Sequence, residues 1–456
     1  MLAKVLSEET QGPPRLFALA ALSIAVGIFS GIVAASFRLL LHAADGWRTY
    51  FIVRAHSWGV PGFILVVLGV AVLASTAALL VSRFAPETAG SGIPRVEHQV
   101  RTGSFGQSHF TLIIKFVGGL LAIGGGLVLG REGPTVQMGS GIGRLIGRAF
   151  QRNLDECRIL LAAGAGTGLA IAFNAPIAGA IFVLEELLGS FDIAFATATL
   201  GASASAICTT RGFLGHSPDF QVLPLAYLDF GVFPASLVVG LLMGFLGTAY
   251  NRTILFALNL SSRFTAFHGT VRAGVIGAFV GAVGWFTPLL IGSGDALTQN
   301  ILDGRLNIAA LGYGFLLHFF LGPISYSTRT PGGLFAPMLA VGAQAGTLFF
   351  AVWAHFIPYL NATPQHFAII GIAAFFASVV RAPLTGIILA VELTGSFSLF
   401  LPMLAATFGA VIVTSLTKCP PSTSRCERPA NHVAENTSLV FPATTTSGST
   451  LVRCRL

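Results

Sequence analysis

The sequence predicts an all-α polytopic membrane protein, an inverted repeat of tilted and broken helices. Composition, a succession of apolar segments and a set of motifs that occurs twice carry this prediction. Of 456 residues, 54% are hydrophobic and only 10% are charged, against roughly a quarter in an ordinary soluble domain. Such a chain has too little polar surface to face water on all sides. Its 54 glycines follow neither a collagen period nor the Ser/Gln bias of a flexible segment, so they point to helices packed closely together.

Apolar segments near the ~20 residues a bilayer needs run from Leu16 to Phe37, Phe63 to Val81, Thr111 to Leu129, Ile159 to Leu184, Ile193 to Ile207, Val232 to Leu258, Ala273 to Ile291, Ile308 to Leu321, Leu334 to Phe356, Phe367 to Val391 and Leu399 to Leu416. The first follows a stretch bearing Lys4, Glu8, Glu9 and Arg15. It is longer than a signal-peptide core, which predicts an uncleaved span. Several segments are short or interrupted by Gly and Pro. Interrupted helices persist in a membrane only where protein buries them or where they line a cavity, because lipid offers no partner for freed backbone groups. They therefore point at a site.

The interruptions recur. Gly90-Ser91-Gly92 returns as Gly292-Ser293-Gly294, the Gly-x-x-x-Pro of Gly130 to Pro134 returns as Gly333 to Pro337, and Ala175-Pro176-x-x-Gly179 with Glu185 returns as Ala382-Pro383-x-x-Gly386 with Glu392. Arg144, Arg148, Arg152 and Arg158 follow the first Gly-x-x-x-Pro, whereas Met338 to Asn361 after the second has no Lys or Arg. By the positive-inside rule the two copies face opposite ways, with a site between them near the midplane. The expected layout is an N-terminal segment 1–15, a membrane domain 16–417 with copies at about 16–210 and about 225–417, and a Ser/Thr/Pro-rich tail 418–456 outside the membrane.

Each motif suggests chemistry. Gly90-Ser91-Gly92-Ile93-Pro94 sets a hydroxyl and a helix start side by side, the arrangement that offers free N–H groups to an anion. Gly130-Arg131-Glu132-Gly133-Pro134 places a carboxylate at membrane depth, where burial costs ~2.5–3.5 kcal/mol on insertion scales. Glu132 would lie where a permeating anion also binds and would leave on protonation, so one group would couple anion to proton. In the second copy Phe335 replaces that acid, leaving backbone N–H groups as the useful donors. Glu185 and Glu186 end the apolar segment from Ile159, and Lys115 reads as a structural charge facing the bundle interior.

Other classes find no support. The net charge of +8 is scattered, without the basic stripe of a nucleic-acid binder. Five cysteines form no CxxC, the histidines lack zinc spacing, and HExxH, GxSxG and P-loop motifs are missing. No cofactor or metal is expected.

In this order on an inverted repeat, Gly90–Pro94, Gly130–Pro134 and Gly333–Pro337 resemble the signature of the CLC family of chloride channels and chloride/proton antiporters, over roughly Arg15 to Leu416. The resemblance implies proton-coupled chloride antiport, with a passive chloride channel as the alternative. It also implies a homodimer in a lipid bilayer, a bacterial inner membrane, with one anion pathway per subunit. It assigns Ser91 as a hydroxyl ligand and Leu334 and Phe335 as N–H ligands of a central chloride. Gly92, Ile93, Gly130, Arg131, Gly133 and Ala336 complete the implied anion-binding set. Glu132 would be the external gating glutamate and Glu186 the internal proton-transfer group, with Glu185 as a further proton-access residue. The family's tyrosine near the end of the membrane domain is missing, since no Tyr follows Tyr359, and there is no room after Leu416 for nucleotide-binding CBS domains. Residues after Pro421 suggest a shifted frame: Ser422-Thr423-Ser424-Arg425-Cys426 can be encoded by bases that, read one base out of frame, give Ile-Tyr-Glu-Ser-Leu.

Overall fold

A computed structural model describes residues 13–417 except 105, 107–109, 216–217, 224, 226–230, 264–268, 306 and 357–361. The tail and its frameshift reading lie outside the described residues. The first eight helices are α1 (Pro13–His56), α2 (Val60–Phe84), α3 (Ile93–Thr102), α4 (Thr111–Gly124), α5 (Glu132–Ala149), α6 (Leu154–Phe173), α7 (Pro176–Phe182), which continues as a π-helical turn over Val183–Leu188, and α8 (Ile193–Leu214). Eight more follow as α9 (Val232–Arg263), α10 (Gly269–Phe286), α11 (Asp295–Leu302), α12 (Ile308–Tyr326), α13 (Phe335–Phe356), α14 (Pro364–Val380), α15 (Pro383–Thr394) and α16 (Phe400–Leu416). Among the described residues, nine helices are long and apolar enough to cross a bilayer.

The two octets match in order and in packing. Helix α1 lies along α8 as α9 lies along α16, and α5 packs on α6 as α13 packs on α14, while α2 and α10 join the halves. Glycine explains how near the helices come. A Cβ on Gly139 of α5 would run into the Gly164 carbonyl of α6, and a Cβ on Gly164 into the Gly139 carbonyl. The second octet repeats this reciprocal contact at Gly342 of α13 and Gly371 of α14. Backbones this close gain dispersion contacts, the attraction that remains when lipid removes the hydrophobic drive between helices. Gly139→Leu is therefore expected to eliminate the monodisperse peak in detergent size-exclusion chromatography. Gly69→Leu, at a position with nothing within 4 Å, should keep it.

Two apolar runs that read as single spans are each two helices. The run Ile159 to Leu184 breaks between α6 and α7, where Asn174 adopts φ 52°, and Phe367 to Val391 breaks between α14 and α15, where Arg381 adopts φ 68°. Pro176 and Pro383 open the second helix of each pair and lack the N–H that would continue the first. Helix α1 also runs well past Phe37. Its extension carries Arg38, Asp45 and Arg48, which find ionic and backbone partners. Lys115 is fully buried and donates to the carbonyls of Thr88 and Gly90 at 3.0 and 2.8 Å, bracing the loop ahead of α3.

Candidate ion-transport site

Three glycine-rich breaks meet at the centre of the molecule, ahead of α3, α5 and α13. Gly130 and Gly333 exchange both backbone hydrogen bonds, each 2.8 Å, as a two-residue antiparallel bridge between equivalent positions of the two repeats. Gly332 N–H donates to Gly90 O at 3.1 Å, tying in the third break. The helix starts are held around one point by backbone bonds.

Glu132 occupies that point. It is fully buried as the first residue of α5, and its Oε1 accepts the Phe335 N–H at 2.7 Å. Its Oε2 has no hydrogen-bond partner among the described residues. The carboxylate fills the space beside Gly130 and Gly333, where a Cβ on either would strike it. Phe335 begins α13, so its N–H is one of the donors a helix leaves unsatisfied and carries the positive end of the helix dipole. A carboxylate thus sits on a donor that the resemblance assigns to chloride.

Two expected ligands are otherwise engaged. The Gly130 N–H is consumed by Gly333 O, because the inter-repeat bridge needs it. The Arg131 guanidinium turns away from the centre to Asp295 and Asp219, both at 2.8 Å, and to Ala172 O at 2.7 Å. Asp219 also pairs with Arg38. These charges line a cavity of about 840 Å³ with Asp45, Arg48 and Ser293, on the Arg131 side of Glu132.

On the other side, Ser91 lies against Gly133, where an added Cβ would come 2.8 Å from Ser91 Cα. Ile93 N–H donates to Ser91 Oγ at 3.3 Å across Gly92, whose φ of 81° makes the turn into α3. A cavity of about 20 Å³ adjoins Ser91, lined also by Ile93, Ile254, Tyr326, Leu334, Phe335 and Met338. Ser91, Ile93, Leu334 and Phe335 are thus brought together as expected, with Ala336 and Gly133 buried in the helix starts beside them. Tyr326, Ile254 and Met338 were not legible, since no spacing links the ends of separate helices to a motif elsewhere.

Glu186 lies apart from this cavity. Phe335 meets Phe182 edge-on at 6.0 Å between centroids, and Glu186 follows Phe182 by four residues on α7 and its π-turn. Arg101 at the end of α3 donates to Leu187 O at 3.1 Å, and Arg158 donates to Val100 O at 2.8 Å. Glu186 therefore sits at the arginine-rich end, the inner face by the positive-inside rule. Glu185 behaves differently: its carboxylate accepts the N–H groups of Leu384 and Thr385 at 3.0 and 2.7 Å and the Thr385 hydroxyl at 2.7 Å. Reciprocally, Glu392 accepts the N–H groups of Ile177 and Ala178 at 3.1 and 2.7 Å. Each acid caps the helix of the other repeat.

The family model for voltage gated chloride channel proteins matches residues 71–415. The H(+)/Cl(-) exchange transporter ClcA of Vibrio cholerae serotype O1 is 38% identical over 419 residues, spanning 88% of this chain and 87% of the relative. The ClcA exchanger of Citrobacter koseri is 34% identical over 398 residues, 85% of this chain and 83% of its own. Among solved structures, a slow cyanobacterial Cl-/H+ antiporter superposes with a TM-score of 0.85 at 29% identity, over 89% of this chain and 96% of that one. A CLC-type fluoride/proton antiporter shares the fold, with a TM-score of 0.76 at 22% identity over 89% and 97% of the two chains. With its helical inverted repeat and paired motifs, the chain is a multi-pass membrane protein and belongs to the voltage gated chloride channel family, the CLC family.

Proposed function

We propose that the protein is a secondary active transporter exchanging chloride for protons across the membrane, as a homodimer in a bacterial inner membrane. The observation that carries this reading is the Glu132 carboxylate seated on the Phe335 N–H. An anionic carboxylate and a chloride compete for one donor in a site that excludes water. Protonation removes the charge that holds Glu132 there and vacates the donor for chloride, so proton uptake and anion entry belong to one step. Half-helix N-termini and backbone N–H groups stabilise the ion without a full positive charge that would trap it.

The proton reaches the inner face by a different route from the anion. Chloride would pass the Ser91 cavity, whereas a proton leaving Glu132 would cross the Phe335–Phe182 contact to Glu186. The Phe182 and Phe335 rings carry no hydrogen-bond donor or acceptor of their own, so a proton crossing that contact requires water. The antiport reading of the ClcA relatives favours coupling over passive conduction. The test is proton movement in liposomes holding the purified protein and driven only by a chloride gradient. Uphill proton uptake is expected, and chloride flux without it would establish a channel.

A further inference from the structure

We propose that Ser293, Arg48 and the start of α11 form a second anion-binding site, which holds a halide in the cavity on the Arg131 side of Glu132. The inference rests on the chloride reading above, and it places this ion on donors that Glu132 does not occupy. The backbone of the Ser91 break is repeated there. Gly292 and Gly294 both adopt φ 86°, as Gly90 and Gly92 adopt 67° and 81°. The first turn of α11 closes with Thr298 N–H donating to Gly294 O at 2.9 Å, as that of α3 closes with Val96 N–H donating to Gly92 O at 3.1 Å. N–H groups ahead of that bond have no carbonyl partner within their helix and carry the positive end of its dipole.

A hydroxyl and a guanidinium stand beside them. Ser293 is only 7% exposed and lines the cavity, yet its hydroxyl has no hydrogen-bond partner among the described residues. In the first repeat the matching hydroxyl, Ser91 Oγ, accepts the Ile93 N–H. Arg48 of α1 lines the same cavity. Its Nη1 serves Asp45 and the carbonyls of Gly124 and Ile123 at 3.2 and 3.5 Å. Its Nη2 makes no hydrogen bond among the described residues and lies against the turn, where a Cβ on Gly292 would stand 2.9 Å from it. Gly294 has no side chain with which to cap α11, and the Asp295 carboxylate is drawn to Arg131 instead.

A hydroxyl, a guanidinium edge and helix N–H groups are all donors, and together they suit an anion. The carboxylates on this wall are already paired: Asp45 with Arg48, Asp219 with Arg38 and Arg131, and Asp295 with Arg131. Their charges are thereby offset, which removes the repulsion an entering anion would otherwise meet. An ion held here raises the local supply beside the Glu132 carboxylate.

The test is anomalous diffraction from crystals of the full-length protein grown in bromide, which stands in for chloride. One peak is expected beside Ser293 and Arg48 and another beside Ser91. Loss of a hydrogen bond to a charged group weakens binding at least ~10-fold. Ser293→Ala should therefore lose the first peak, at the bromide concentration that fills it in wild type, and keep the second. In liposomes the same variant should raise the KM for chloride presented to that side more than it lowers kcat. Ser293→Gly, which removes the same hydroxyl, repeats both measurements if the alanine variant misfolds. A peak beside Ser91 with none beside Ser293, or a Ser293 peak undiminished in Ser293→Ala, would overturn the second site. A peak that Ser293→Ala removes with KM unchanged would mark an adventitious ion only and overturn its place in transport. No bromide at either position, with no chloride-driven flux, would instead overturn the chloride reading.

Discussion

Glu132→Gln is expected to abolish proton movement driven by a chloride gradient, a loss of at least ~100-fold, the lower range for removing a positioned proton-transfer group. Glutamine keeps the shape and can still accept the Phe335 N–H through its amide oxygen, but it cannot cycle between a charged and a neutral form. The position is unforgiving because the carboxylate is fully buried and fills the space between Gly130 and Gly333. Glu132→Ala should act differently. It empties that space, freeing the Phe335 N–H, so chloride should pass without protons. Chloride and proton fluxes recorded together in liposomes check both variants, and substantial proton antiport by Glu132→Gln would refute the assignment.

Much of this site was legible because the residues that break helices are the residues proposed to bind. Gly, Pro and a charged residue within an apolar stretch are conspicuous in sequence, and Glu132, Ser91 and Phe335 all lie in such a break. The repeat was legible for the same reason. The helix ends were less so: the runs from Ile159 and from Phe367 stay apolar on both sides of Asn174 and Arg381, because α6 and α14 are buried on nearly every side. Periodicity has nothing to report there, and one polar residue followed by Ala-Pro is all that marks each break. Partners of the charges were invisible too, since Arg131 meets Asp219 and Asp295, and Asp219 meets Arg38, from separate parts of the chain. Glu185 and Glu186 carry the same side chain in adjacent positions; the resemblance singles out Glu186, and the fold adds that Glu185 caps a helix of the other repeat.

That separation gives the second large effect. In the second repeat, α15 stays α-helical through Glu392 and Leu393, with Leu393 only 1% exposed. In the first, the π-helical turn accommodates Glu185 and Glu186, and π-turns are common at functional sites. Glu185 stands where Glu392 stands and plays the same part, capping the N-terminus of the opposite repeat's helix, whereas Glu186 takes the place of the buried Leu393. Glu186→Gln should therefore cut proton flux at least ~100-fold, as for loss of a proton-transfer group, while chloride still passes and thermal stability is kept. Glu185→Ala should show the reverse, because it strips the N–H groups of Leu384 and Thr385 of their acceptor. Loss of a helix cap costs about 1 kcal/mol, so its melting temperature should drop while the ratio of chloride to protons is unchanged. Glu392→Ala, which uncovers Ile177 and Ala178, should match Glu185→Ala and not Glu186→Gln. Thermal melts in detergent, paired with chloride and proton flux from the same preparations, separate the two roles. Full proton antiport in Glu186→Gln, or loss of coupling in Glu185→Ala without loss of stability, would reverse the assignment of the two acids.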